Sequence, residues 1–261
     1  MILKDKTIIV TGVGPGMNSK LAALAAKEGA KVVMAARSEG LVNSLQQEIR
    51  AAGGQALAVR ADVSKLEDCL RVADQAVREF GRIDGLANGA YRGNYKWAPI
   101  EEADFDDWRQ SMDVTLFGAL NMVKAVVPNM KANGGGVIIN VNSGETRKPL
   151  VQNGSYSVPK AALLGATRLL ALELASYKIR VNSAVIGWMW GKTIEEYFTS
   201  YSRESGIPMQ KLIDERAALI PIGHIPPDEE CAKTVLMLLS DYTSQVTGAA
   251  YDVNGGDYLS L

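Results

Sequence analysis

Thr7-Ile-Ile-Val-Thr11-Gly-Val-Gly-Pro-Gly-Met-Asn18 runs from an apolar, β-branched stretch into three alternating glycines, and an Ala/Leu-rich pattern follows from Ser19 to Glu28. A short, wholly apolar run has no solvent face, so it reads as a strand buried on both sides, the state of a strand inside a parallel sheet. Gly12, Gly14 and Gly16 open backbone conformations closed to other residues and let an anion approach the main chain. The N-terminus of the helix beginning near Met17 then presents free N–H groups to that anion. A Gly-rich turn between a first strand and a first helix is the context of a dinucleotide-phosphate loop. Elsewhere such a turn would be only structural.

The rest of the chain repeats the unit. Strands are predicted at Lys31–Ala35, Ala56–Arg60, Gly85–Asn88, Val137–Val141, Arg180–Val185 and Ala249–Val253. Helices are predicted at Gly40–Ala52, Leu66–Phe80, Phe105–Ala132, Tyr156–Ser176 and Glu229–Ser240. The segment from Gly187 to Pro227 reads as an irregular insertion with one helix, Met209–Leu219. Alternating β and α units with apolar strands imply an α/β fold: a single Rossmann-type, doubly wound parallel sheet with helices on both faces. No linker, charge block or internal repeat interrupts it, so residues 1–261 are expected to form one domain, with a substrate-binding insertion at about 187–227.

Composition excludes several classes. The chain has 261 residues, 47% hydrophobic and 22% charged, with a net charge of −1. Lys and Arg are spread along it, which leaves no electrostatic footprint for nucleic acid or an anionic membrane. Cys69 and Cys231 both fall in helical patterns and read as buried free thiols. With His224 the sole histidine, set in a Pro-rich turn, neither a metal site nor a Ser–His hydrolase is expected. No signal-like apolar segment opens the sequence and no run is long enough to span a bilayer, so a cytoplasmic protein is expected.

The chemistry concentrates between Ser143 and Lys160, SGETRKPLVQNGSYSVPK. Tyr156 and Lys160 are four apart and share a helix face. A phenol titrates near pH 10, and an ammonium beside it favours the phenolate and lowers that value toward the working range. Ser143, just past a strand, can hydrogen-bond a substrate oxygen whose charge is changing. Such a set exchanges a proton with an alcohol or ketone. At the end of the second strand, where an acidic residue would bind both ribose hydroxyls of NAD, stands Met34-Ala-Ala-Arg-Ser38. Ala36 leaves room, and Arg37 and Ser38 suit a 2′-phosphate, so NADP is favoured with NAD as the alternative.

These motifs, with Asp62-Val63 after the third strand, Asn88-Gly-Ala after the fourth and Asp252-Val-Asn-Gly-Gly256 at the end, resemble the short-chain dehydrogenase/reductase family over essentially the whole chain. The resemblance implies Tyr156 as general acid/base, Ser143 orienting the substrate oxygen, and Lys160 lowering the tyrosine pKa while holding the nicotinamide ribose. It implies Asp62 and Val63 beside the adenine and Asn88 near the nicotinamide half, with Gly12, Gly14, Gly16 and Met17 at the phosphates. Val185, Ile186, Gly187 and Thr193 would contact the carboxamide and phosphates. Members are commonly homotetramers. The chain departs from the family at four points. The last glycine of TGxxxGxG is Asn18, and the asparagine that holds a relay water aligns with Thr115. Asn-Asn-Ala-Gly has become Asn88-Gly-Ala-Tyr91, and Pro-Gly has become Ile186-Gly187.

Loops beyond the strand ends are rich in Tyr91, Tyr95, Trp97, Trp188, Trp190, Tyr197, Phe198 and Tyr201, in a chain only 7% aromatic. Tyr91, Trp97, Trp188 and Trp190 are expected to wall a bulky apolar or ring-bearing alcohol or ketone, the alternative being that such rings pack the insertion. Glu145 and Arg147 would contact a polar substrate group or form a surface ion pair. The function expected is an NAD(P)-dependent oxidoreductase. Asn18 and Thr115 motivate a second reading, a catalytically weak NADP(H)-binding sensor or scaffold. Epimerisation through a transient ketone is a third.

Overall fold

The computed structural model describes residues 1–259. β1 (Thr7–Thr11) leads into α1 (Met17–Lys27), followed by β2 (Lys31–Ala36), α2 (Glu39–Ala51), β3 (Gln55–Arg60), α3 (Leu66–Phe80) and β4 (Gly85–Asn88). A helical run of α4 (Phe105–Met112), a π-helical turn (Asp113–Phe117) and α5 (Gly118–Ala132) precedes β5 (Gly136–Ser143). Then come α6 (Gly154–Leu174), β6 (Ile179–Ile186), α7 (Lys192–Ser205), α8 (Met209–Ala218), α9 (Asp228–Leu239) and β7 (Ala250–Val253). The strands form one sheet in the order β3-β2-β1-β4-β5-β6-β7, each neighbouring pair parallel. This is the doubly wound, Rossmann-type arrangement.

Side chains alternate across a strand, so each strand feeds two cores. Ile8, Val10, Val32, Met34 and Ile139 face the layer containing α1, α2 and α9. Ile9, Val33, Ile138 and Val181 face α3, α5 and α6, where Val72, Met122, Val126 and Leu174 meet them. Ile8, Ile9, Val32, Val33, Ile138 and Val181 are wholly buried, and each such side chain contributes roughly 1.5–3 kcal/mol relative to exposure. Cys69 and Cys231 are buried free thiols, as the helical patterns around them imply. No described helix is long and apolar enough to cross a membrane.

Two differences from the sequence reading matter for the site. The long helix is not uniform: a π-helical turn interrupts it at Asp113–Phe117 and carries Thr115. The insertion holds two helices rather than one. α7 runs from Lys192 to Ser205 and stops at Gly206, whose φ of 72° is left-handed. Its Ile194, Tyr197, Phe198 and Tyr201 recur at helical spacing, and Phe198 is buried. The Ser/Thr content of the stretch masked that period.

α6 opens at Gly154, which lies against Trp108 of α4. A Cβ on Gly154 would come within 2.2 Å of the Trp108 ring. Gly154→Ala is therefore expected to destabilise by about 1–3 kcal/mol through overpacking. Gly40→Ala, in α2 with nothing near its Cβ position, should stabilise by up to about 1 kcal/mol. Denaturant melts of the two variants check the contrast.

Candidate active site

Because the strands are parallel, their C-terminal ends share one edge of the sheet, and the loops leaving that edge gather the predicted residues. Gly12, at the end of β1, has a φ of 66°, and a Cβ there would lie 2.5 Å from Ala90 Cα. Glycine is required by both criteria. A Cβ on Gly16 would meet nothing within 4 Å, and one on Gly14 only Gly12 O at 4.0 Å. Their smallness therefore serves no packing within the chain; it leaves a cradle of bare backbone at the start of α1, the shape a pyrophosphate requires. Met17 opens α1 with its side chain buried. At the end of β2, Ala36 is buried while Arg37 and Ser38 are exposed. Arg37 has no ion pair among the described residues, so its guanidinium is available to an anionic group.

Asp62 follows β3 and accepts from the backbone N and Oγ of Ser64. Val63 is buried against the start of α5, where a Cβ on Gly118 would approach it to 2.5 Å. The Asn88 side chain points inward: its Nδ2 donates to Asn140 Oδ1 at 3.0 Å, and Asn140 Nδ2 donates to Thr167 Oγ1 at 2.9 Å. Asn88 thus braces β4 against β5 and α6, leaving only its backbone to the edge. Gly187 follows β6 beside Asn254, and its N–H donates to Val253 O at 3.0 Å. Thr193 is exposed in the first turn of α7.

The register of β5 and β6 sets Ser143 beside Ile186. Ser143 Oγ accepts from Glu145 N at 3.2 Å and lies beside the Tyr156 phenol. Lys160 is buried on α6; its Nζ donates to Val141 O at 2.8 Å and lies 5.8 Å from the Tyr156 ring centroid. The three residues meet at one point. Their electrostatics differ from the sequence expectation, in which Lys160 lowers the Tyr156 pKa. Burial is the largest influence on the Tyr156 phenol and pushes it well up, against a smaller downward pull from the neighbouring Ser143 hydroxyl. The same dry surroundings hold the Lys160 ammonium down at about 8.

Sequence reasoning left Tyr95 in a general aromatic set, yet its ring stacks on Tyr156 with centroids 5.0 Å apart. Tyr91 meets the same ring edge-on at 6.0 Å. Asn153 was missed altogether. It is fully buried just before α6, and its Nδ2 donates to both Glu145 oxygens at 2.8 and 2.9 Å. Ser157 Oγ donates to the same carboxylate. Glu145 therefore braces the start of the helix that carries Tyr156. Glu145 and Arg147 form no mutual surface ion pair, since Arg147 turns instead to Asp252 at 3.1 Å. Trp97 is exposed, whereas Trp188 and Trp190 pack on Phe198 in a small core with Leu212, Ile220 and Ile225.

The model of the short chain dehydrogenase family matches residues 6–199. The chain belongs to that family. This short-chain dehydrogenase is 30% identical over 259 residues to the 7alpha-hydroxysteroid dehydrogenase of Escherichia coli K12, covering 99% of this chain and 96% of the relative. It is 32% identical over 255 residues to the cis-4-hydroxycyclohexanecarboxylate dehydrogenase of Sinomonas cyclohexanicum, covering 97% and 96%. The crystal structure of L-sorbose reductase from Gluconobacter frateurii, complexed with NADPH and L-sorbose, matches with a TM-score of 0.93 at 28% identity over 100% of both chains.

The depressed Lys160 pKa makes stability depend on pH. Below about pH 8 both folded and unfolded chains carry the charge, and the full cost of burying it is present. Between about 8 and 10.4 the unfolded lysine keeps a proton that the folded one has lost, so stability rises through that window by on the order of 3 kcal/mol at most. The melting temperature of the wild type should gain on that of Lys160→Met as pH is raised from 8 to 10. A difference that stays flat would mean Lys160 titrates normally.

Proposed function

We propose that this short-chain dehydrogenase interconverts a secondary alcohol and a ketone, with Tyr156 as the general acid/base. The observation that carries the reading is the Ser143 hydroxyl beside the Tyr156 phenol at the end of β5, with the buried Lys160 ammonium one turn further along α6. In the reducing direction Tyr156 O–H donates its proton to the carbonyl oxygen as negative charge builds there. Ser143 takes its own acceptor contact from Glu145 N, so its hydroxyl proton is free to point at that same oxygen. When bound, a nicotinamide supplies or takes up the hydride at the carbinol carbon. The Tyr156 phenolate then stands beside the Lys160 ammonium, which stabilises it. Thr115, buried in the π-helical turn packed on α6, is the residue for a relay water.

Burial keeps the Tyr156 phenol protonated at neutral pH, which suits proton donation and hence ketone reduction there; alcohol oxidation should gain as pH rises. Gly12, Gly14, Gly16 and Met17 would hold the pyrophosphate, and Asp62 and Val63 the adenine. Asn88 would hold the nicotinamide half through its backbone, Tyr156 and Lys160 its ribose, and Ile186, Gly187 and Thr193 the carboxamide. The unpaired Arg37 with Ser38, and the absence of an acidic residue at the end of β2, support NADP over NAD. Residues 187–227 form the substrate side of a single domain. A bulky, ring-bearing substrate is supported by Tyr91, 42% exposed with its ring edge-on to Tyr156, by Trp97, 53% exposed on the same loop, and by the half-buried rings of Trp188 and Trp190. Two relatives named for steroid and cyclohexane substrates point the same way.

Tyr156→Phe should lower kcat by a factor on the order of 10²–10⁴ while NADPH affinity stays nearly unchanged; a variant that keeps a kcat near that of the wild type would sink the assignment. Arg37→Asp should raise the KM for NADPH roughly 10–100-fold, the worth of one charge-assisted contact, and spare NADH. Both are read by following nicotinamide absorbance against ketones graded from small aliphatic to polycyclic.

A further inference from the structure

The phosphate loop and the loop after β4 approach so closely that two positions admit no side chain. At Gly12 the obstacle is the Ala90 backbone; at Gly89 it is the Asn18 amide, whose Nδ2 lies 2.3 Å from where a Cβ on Gly89 would stand. The volume beside Gly89 is therefore filled from α1. Asn18 Nδ2 donates to Gly12 O at 3.0 Å and to Gly89 O at 3.1 Å, so one amide joins the first residue of the phosphate loop to the first residue after β4. Its orientation is fixed, because turning it over would set Oδ1 against two carbonyl oxygens. Oδ1 itself is buried with no hydrogen-bond partner among the described residues, a cost that the two donated bonds and the packing must outweigh.

The structure assigns Asn18 as a positioning residue for the dinucleotide, its amide standing in for a side chain at position 89 and clamping the phosphate loop to the β4 loop. The family pattern has glycine at the position of Asn18 and asparagine at that of Gly89. The two departures are thus one compensated exchange within a single shared space. Asn18→Gly leaves that space empty, and Gly89→Asn fills it twice. This inference rests on the reading that the loop binds NAD(P).

The test is a double-mutant cycle on the full chain, with melting temperature and the Kd for NADPH and NADH measured by titration without substrate. Asn18→Gly should weaken NADPH binding about 5–20-fold and lower the melting temperature. Gly89→Asn should be destabilised or fail to fold. The double variant should fold, with its Kd within about threefold of wild type, so the coupling is large and opposite in sign to the single effects. Among the variants that bind, the KM for NADPH should follow the Kd while kcat at saturating nucleotide stays within about threefold, a split that general loss of stability does not produce. A double variant as impaired as the worse single one, or unfolded, overturns the exchange. Recovery of melting temperature without recovery of Kd overturns the positioning role. A wild type that binds neither nucleotide overturns both this inference and the functional reading beneath it, whereas normal wild-type binding beside a failed double variant overturns this inference alone.

Discussion

A single hydrogen bond, from the Lys160 ammonium to Val141 O, fixes the geometry of this site. An ammonium taken out of water must find a partner, or shed its proton. Here the partner is a main-chain carbonyl near the end of β5, two residues before Ser143. The bond ties α6, which carries Tyr156, to the strand that carries Ser143, and their separation follows. A second polar chain repeats the tie one layer deeper: Asn88 to Asn140, Asn140 to Thr167, and Thr167 Oγ1 to Leu163 O. Apolar residues there would hold the layers together but would not set their register. Directional hydrogen bonds in a buried chain specify position as well as contact, here even with Asn88 Oδ1 left without a partner among the described residues.

The sheet was legible because each strand is an apolar run closed by turn residues, and the α3 and β4 boundaries agree with the sequence reading residue for residue. The Ser143, Tyr156 and Lys160 set was legible because its members lie on two regular elements whose ends are predictable. What escaped depends on tertiary contact. Asn153 is an ordinary loop asparagine in sequence; only the return of Glu145 to the start of α6 gives it a task. Tyr95 and Trp97 stand in the same short loop, yet one stacks on Tyr156 and the other is exposed. α7 had the right apolar spacing, hidden by its serines and threonines. The π-helical turn at Thr115 changes the backbone without leaving a compositional trace.

The electrostatics invert part of the sequence argument. In sequence, lysine four residues from tyrosine reads as a cation that depresses a phenol. In the folded chain both groups share the same desolvation, which penalises the charged form of each: the phenol is driven up and the ammonium down. Stacking by Tyr95 and the edge of Tyr91 deepen that desolvation. A neutral phenol held against the Ser143 hydroxyl is a good proton donor and a poor base. Under the proposed role of Tyr156, reduction draws on the ground state of the site, while oxidation has first to remove a proton from it.

The aromatic loops around the site divide in the same physical way. The segment 187–227 is closed on itself: Trp190 N donates to Pro226 O at 2.7 Å, and Asp228 N donates to Trp190 O at 2.8 Å, joining its two ends. Arg216 lies 4.6 Å over the Trp188 ring and pairs with Asp257, which pins α8 to the segment after β7. Trp188 and Trp190 thus spend much of their surface on holding that segment together. Replacing either disturbs a core before it alters a wall. Trp97 is under no such obligation, since it is exposed on the loop after β4, whereas Tyr91 on the same loop keeps its ring edge-on to Tyr156. A side chain such as Trp97 can therefore change without unseating the helices around it.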